Sequence, residues 1–124
     1  MPDVVGFSNN LALNRANINK YVPRTPGCYV LDRSSTGSFE VHYTGRADYD
    51  LEERLGSWLG TQYLYFKFLS LSDRKSAYEM ECKVYHNLRP VDNRMHPDAP
   101  DNTNYTCPFC PKEHSAVYRQ LFGL

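Results

Sequence analysis

Residues 27–44, GCYVLDRSSTGSFEVHYT, decide the fold. The β-prone run CYVLD is followed by the loop-forming residues RSSTGS, after which apolar and polar residues alternate in FEVHYT. Alternation with a period of two places the apolar side chains on one face of a strand. We therefore predict a β-hairpin here.

Two helices and one more strand are predicted after the hairpin. Asp50 and Glu53 have the spacing of a capping pair, and the leucines behind them predict a helix of about ten residues. Residues 63–71, YLYFKFLSL, are aromatic and alternate, which predicts a strand. An apolar stripe over 74–88 predicts the longest helix, which Pro90 ends.

The order of these elements predicts an α+β fold, in which a small three-stranded antiparallel sheet is flanked by helices. We assign this domain to residues 26–94. Residues 1–25 are polar and lead into a proline-containing turn, so we interpret them as an N-terminal arm. Residues 95–124 lack hydrophobic periodicity and form a C-terminal extension, a candidate metal-binding knuckle.

The composition excludes several classes of protein. Lys plus Arg and Asp plus Glu both number 14, so a polybasic coat for nucleic acid is excluded and any nucleic-acid contact must come from a local patch. A hydrophobic fraction of 41% argues against disorder. We see no apolar run that could span a membrane and no secretion signal, and therefore expect a cytoplasmic protein without a membrane partner.

Two charged residues fall on the apolar sides of the predicted helices. Glu81 shares the stripe of the long helix, whereas Glu79 lies between two lysines on the opposite side. Arg54 leans towards the apolar side of the shorter helix. Glu81 is either a boundary residue with one ion pair or a metal-binding or catalytic carboxylate. For Arg54 alone, the usual interpretation is an arginine with its stem on apolar surface and its head in water.

Four motifs in order resemble the GIY-YIG nuclease superfamily. They are GCYVL at 27–31, HYTGRA at 42–47, LEERL at 51–55 and AYEMECKVYHNLRPVDN at 77–93. The resemblance covers roughly residues 26–93. It implies an endonuclease that hydrolyses phosphodiester bonds in DNA with a single Mg²⁺ or Mn²⁺ ion.

The resemblance also implies an active site. Its catalytic residues would be Tyr29, Tyr43, Arg54 and Glu81, with Glu81 as the ligand of the cation. Four auxiliary residues are expected beside them: Gly45, Arg46, His42 and Asn93. The expected partner is duplex or structured DNA, and RNA remains open. The alternative is a noncatalytic module on the same fold that binds nucleic acid or protein.

Cysteines in the C-terminal extension indicate a second site. Cys107 and Cys110 form a CxxC pair, which is half of a zinc signature, and His114 and His96 are the candidates to complete a structural Zn²⁺ site. Free thiols are the alternative, because one CxxC pair does not define a site alone.

Overall fold

The structure is a computed structural model that describes residues 6–110. It confirms the α+β class. Within these residues, seven elements follow in chain order: β1 (Leu11–Ala12), α1 (Arg15–Tyr21), β2 (Gly27–Asp32), β3 (Tyr43–Ala47), α2 (Leu51–Gly56), β4 (Tyr65–Ser70) and α3 (Arg74–Leu88). No helix in this part of the chain has both the length and the apolar character of a membrane span.

The sheet has four antiparallel strands in the order β1-β4-β2-β3, where the sequence predicts three. The additional strand, β1, pairs Leu11 with Phe66 of β4 and comes from the segment interpreted as an arm. The count of three is wrong because a two-residue strand is too short to show alternation. The same segment supplies α1, whose Ile18 is fully buried in the core.

Both faces of the sheet are covered, so the central strand β2 is buried along its whole length. Tyr29 and Leu31 of this strand pack in the core that includes residues of α1 and α2. Cys28 and Val30 face the other way and pack with Val84 of α3. The chain therefore forms three layers, with β3 at one edge of the sheet.

The second strand of the hairpin begins at Tyr43, not at residue 39 as the alternation suggests. The side chain of Asp32 accepts hydrogen bonds from the backbone N–H groups of Ser34 (2.7 Å) and Glu40 (3.1 Å). The Asp32 carboxylate thus accepts hydrogen bonds from two N–H groups near the loop, which would otherwise pair with a neighbouring strand.

The predicted long helix matches α3, while α2 is shorter than expected. Asp73 caps α3 by accepting from the Ser76 N–H at 2.8 Å, and the helix ends where Arg89 turns left-handed with a φ of 45° before Pro90. Helix α2 stops at Gly56, and successive turns carry the chain on to Gly60.

Candidate active site and metal site

A cleft beside the edge strand β3 collects most of the predicted site residues. Its lining comes from β2, β3, α2, α3 and the C-terminal extension: Tyr29, Tyr43, Gly45, Arg46, Asp48, Arg54, Trp58, Glu81 and Asp98. All four predicted catalytic residues therefore line one cleft, together with two of the four auxiliary residues. Residues from both faces of β3 can line the cleft, because β3 is an edge strand and side chains on either of its faces can reach solvent.

Tyr29 reaches this cleft because Gly45 has no side chain. The two residues are opposite each other in the β2–β3 ladder, and a Cβ atom on Gly45 would overlap the Tyr29 hydroxyl and ring. The Trp58 indole Nε1–H donates to the Tyr29 hydroxyl at 2.8 Å, which fixes its position. Trp58 was not among the residues that the sequence analysis named for the site.

Burial raises the pKa of Tyr29 above its ordinary value, and this effect outweighs the opposing effects of the Trp58 hydrogen bond and the Arg54 charge. Tyr29 is therefore a neutral phenol at physiological pH. A phenol that already accepts from Trp58 can still donate its own hydrogen bond.

Tyr43 lies on the same side of β3 as Gly45 and packs against Trp58, with ring centroids 5.0 Å apart. It also contacts Tyr63 at 6.2 Å between centroids. Burial raises the pKa of Tyr43, and the nearby Glu81 carboxylate raises it further, so this phenol is neutral too. Two neutral phenols on neighbouring strands are suited to orient a water or a phosphate oxygen.

Glu81 is only 7% exposed, and its carboxylate pairs with Arg46. The Arg46 Nη1 donates to Glu81 Oε1 at 2.8 Å, while Arg46 Nε donates to Asp48 Oδ1 at 2.7 Å. The same guanidinium lies over the ring of Tyr78 at 5.2 Å. Burial raises the pKa of Glu81 to about 7, although the hydrogen bond from Arg46 acts in the opposite direction.

Arg54 differs from Arg46 in being exposed. Among residues 6–110, no carboxylate forms an ion pair with Arg54. Asp50 caps the short helix α2 by accepting from the Glu53 N–H at 3.1 Å, and so fixes the turn that carries Arg54. In the cleft, the Arg46 guanidinium is therefore ion-paired, whereas the Arg54 guanidinium has no carboxylate partner among the described residues.

The other two auxiliary residues do not line the cleft. His42 Nδ1 lies 3.1 Å from Asp32 Oδ1 on another part of the hairpin. Asn93 pairs with the exposed edge of β3, where its Oδ1 accepts from the Thr44 N–H at 2.8 Å and its Nδ2 donates to the Thr44 carbonyl at 3.0 Å. Asn93 therefore holds the edge strand in place without reaching the cleft itself.

A second cluster joins α3 to the C-terminal extension. The side chains of His86, His96, Cys107 and Cys110 present ligand atoms that all lie within 4.8 Å of one another, so they could hold a metal ion. Cys110 Sγ is 3.0 Å from His96 Nε2, and Cys107 Sγ is 3.4 Å from His86 Nε2. Ligands 2.0–2.3 Å from a tetrahedral metal lie roughly 3.3–3.8 Å apart, so the cluster is close to that geometry.

Three of the predicted ligands belong to this cluster, and the fourth, His114, lies outside the described residues. Sequence reasoning missed His86. A signal was present, because Tyr78, Cys82 and His86 follow at intervals of four on α3 and the first two are buried against the extension. That second stripe indicated another packed face of the helix.

Comparison of the chain with models of known protein families, with curated proteins and with solved structures finds no match.

Proposed function

We propose that this protein is an endonuclease that hydrolyses phosphodiester bonds in DNA with one divalent cation, Mg²⁺ or Mn²⁺. The observation that carries the proposal is the meeting of Tyr29, Tyr43, Arg54 and Glu81, from four separate elements, in a single cleft. The sequence motifs that resemble the GIY-YIG superfamily name the same four residues.

Carboxylate oxygens in the cleft support the proposal of a hard divalent cation. Its described lining includes three carboxylates, Glu81, Asp48 and Asp98, and Mg²⁺ prefers oxygen ligands and keeps several waters. Glu81 would be the protein ligand. When bound, the cation supplies charge neutralisation at the phosphate oxygens.

The chain's own residues would position the reactants. Arg54 would donate a forked pair of hydrogen bonds to the phosphate and stabilise the negative charge that grows there. Tyr29 and Tyr43, as neutral phenols, would orient the attacking water in line with the bond to be broken. The water oxygen then forms a bond to phosphorus and releases one proton to solvent, while the bond to the leaving sugar oxygen breaks and that oxygen takes up a proton from solvent.

A noncatalytic module that binds nucleic acid or protein is the competing function, and one observation favours it. The Arg46–Glu81 ion pair satisfies the buried carboxylate without any cation. In that case Glu81 would be structural, and its neutralisation would leave DNA binding unchanged.

Metal-dependent cleavage separates the two functions. Purified protein should be incubated with duplex, nicked, flapped and branched DNA, and with RNA, in Mg²⁺, Mn²⁺ or EDTA. We expect cleavage of at least one DNA substrate that EDTA abolishes. Binding without cleavage of any substrate would support the noncatalytic module instead.

We further propose that the cluster of His86, His96, Cys107 and Cys110 holds a structural Zn²⁺ ion. Two thiolates and two imidazoles are a common closed ligand set for zinc. Protein purified without chelators should contain about one zinc per chain. Metal-free protein that also fails to bind added Zn²⁺ would contradict this assignment.

A further inference from the structure

Among the described residues of the C-terminal extension, one lines the cleft, and it lies beside the metal cluster in sequence. Asp98 is exposed and lines the cleft with Glu81. It follows His96, a member of the cluster, by only two positions. Two residues of extended chain span at most about 7 Å, so the position of His96 limits where Asp98 can lie.

The local chain around His96 is further restricted. Pro97 fixes its own φ, which reduces the freedom of the step between His96 and Asp98. His96 Nδ1 lies 2.7 Å from the Pro97 carbonyl oxygen, which can only accept a hydrogen bond. Nδ1 therefore donates this hydrogen bond, which leaves Nε2, the nitrogen that faces Cys110, as the one available to a metal.

The extension has no regular secondary structure between Arg89 and Phe109 to hold it against α3. Its contacts with the helix include an apolar cluster, in which Cys107 packs with Tyr78 and Cys82. They also include the ring contact between Tyr85 and His96, and the ligand set that contains His86. A metal bound between His86 and the extension would add coordination bonds to these packing contacts and so hold the extension at a defined position against α3.

We propose that this metal site builds part of the cleft: a zinc ion bound between α3 and the extension holds Asp98 beside Glu81, where Asp98 is a second carboxylate ligand of the catalytic cation. This inference rests on the proposed function, in that the cleft takes Mg²⁺ or Mn²⁺. It gives the extension a role in the proposed catalytic site, although the extension lies outside the sequence motifs at 27–93.

The test uses Mn²⁺ binding to zinc-loaded protein, followed by electron paramagnetic resonance without DNA. Glu81→Gln should weaken Mn²⁺ binding because it removes the proposed main ligand. Asp98→Asn should weaken it at least about tenfold, with zinc content unchanged. Asp101→Asn is the matched control, because Asp101 is an exposed carboxylate on the same segment outside the cleft lining, and it should change neither quantity.

The link to zinc is tested with His86→Ala. This variant should lose zinc and lose Mn²⁺ affinity to the same extent as Asp98→Asn, and the double variant should lose no more. Thermal melts check that the sheet remains folded. If His86→Ala does not fold, removal of zinc from the wild-type protein with a thiolate-selective chelator replaces it, with the same loss of Mn²⁺ affinity expected.

The outcomes distinguish this inference from the proposed function. If Glu81→Gln weakens Mn²⁺ binding and Asp98→Asn does not, the inference is wrong and the proposed function stands. Wild-type Mn²⁺ affinity after zinc removal would also overturn the inference. If neither Glu81→Gln nor Asp98→Asn changes Mn²⁺ binding, both the inference and the catalytic cation site are wrong.

Discussion

Glu81 is the residue that links the structure most directly to the proposed chemistry. Its carboxylate is buried yet lies in the cleft, and Arg46 is its ion-pair partner at 2.8 Å. Glu79 is two positions away on α3, which places it about 200° further around the helix axis. Substitutions at the two glutamates can therefore distinguish the effect of a charge in the cleft from the effect of a charge elsewhere on the helix.

We expect Glu81→Gln to abolish cleavage and to leave the melting temperature level or higher. Glutamine keeps the shape but removes the charge that would bind the cation, and Arg46 retains its ion pair with Asp48. Glu79→Gln should alter neither quantity by much. Single-turnover cleavage and thermal melts of both variants check this. Full activity in Glu81→Gln would show that the cation site is built from other carboxylates.

Stability should depend on pH through Glu81. Its pKa is raised from 4.5 to about 7 in the folded protein, so folding favours the protonated carboxyl group. That contribution is fully present below about pH 4.5 and is lost as the pH rises through 7. Relative to Glu81→Gln, the wild type should lose on the order of 3 kcal/mol between these limits. Urea melts at several pH values measure the free energy of unfolding of both proteins. A difference between the two proteins that stays constant with pH would contradict the raised pKa.

The absence of a side chain at Gly45 should be essential to the cleft. Gly45→Ala would place a methyl group into the hydroxyl and ring of Tyr29, and the tight packing between β2 and α2 leaves the ring little room to move. We expect a loss of roughly 1–3 kcal/mol in unfolding free energy and a loss of cleavage. Gly56→Ala is the control, because its added methyl would meet only the flexible end of Arg15. Equal stability of the two variants would contradict this packing.

At the scale of elements, the edge strand β3 carries the cleft and depends on a residue outside the sheet. Asn93 occupies the backbone N–H and carbonyl of Thr44, so its amide acts as a short substitute for a neighbouring strand. The turn that carries Asn93 is itself held by Asp92, which accepts from the Tyr63 hydroxyl at 2.8 Å and from Arg33 Nε at 3.0 Å.

Asn93→Ala should therefore destabilise the protein and loosen β3 in particular. Loss of both hydrogen bonds should cost about 1–3 kcal/mol, with faster amide exchange at Thr44 than in β2 or β4. Asn87→Ala, at an exposed position of α3, should be neutral or slightly stabilising. Hydrogen exchange with chemical denaturation measures both, and an unchanged exchange rate at Thr44 would refute this role for Asn93.

The elements with strong periodicity were predictable from the sequence. Helix α3 has the predicted bounds, and strand β4 lies within the predicted 63–71. Strand β1 could not be predicted, because its two residues gain their structure from pairing with β4. The start of β3 was displaced because Asp32 takes a backbone N–H that lies across the loop, a contact that no local pattern reveals.

At the scale of the whole molecule, three layers bring distant residues to one edge of the sheet. The motifs in the sequence named six residues that line the cleft, since each motif places its cleft residues on a single element. No pattern in the sequence indicated Asp98 in the cleft or Arg46 as the partner of Glu81, because both depend on how α3 and the extension pack. The stripe of Tyr78, Cys82 and His86 indicated a packed face of α3, but it did not indicate that His86 meets Cys107, 21 positions away in the sequence.

Cleavage by Arg54 variants is the most direct measurement of whether the cleft hydrolyses DNA. Arg54 is exposed and forms no ion pair with another described residue, so its replacement should leave the fold intact. Single-turnover cleavage at saturating Mg²⁺ or Mn²⁺ should fall by about 10³-fold or more in Arg54→Ala. Arg54→Lys should recover little of it, because an ammonium group cannot form the forked contact. Cleavage by Arg54→Ala at the wild-type rate, with an unchanged melting temperature, would contradict the account.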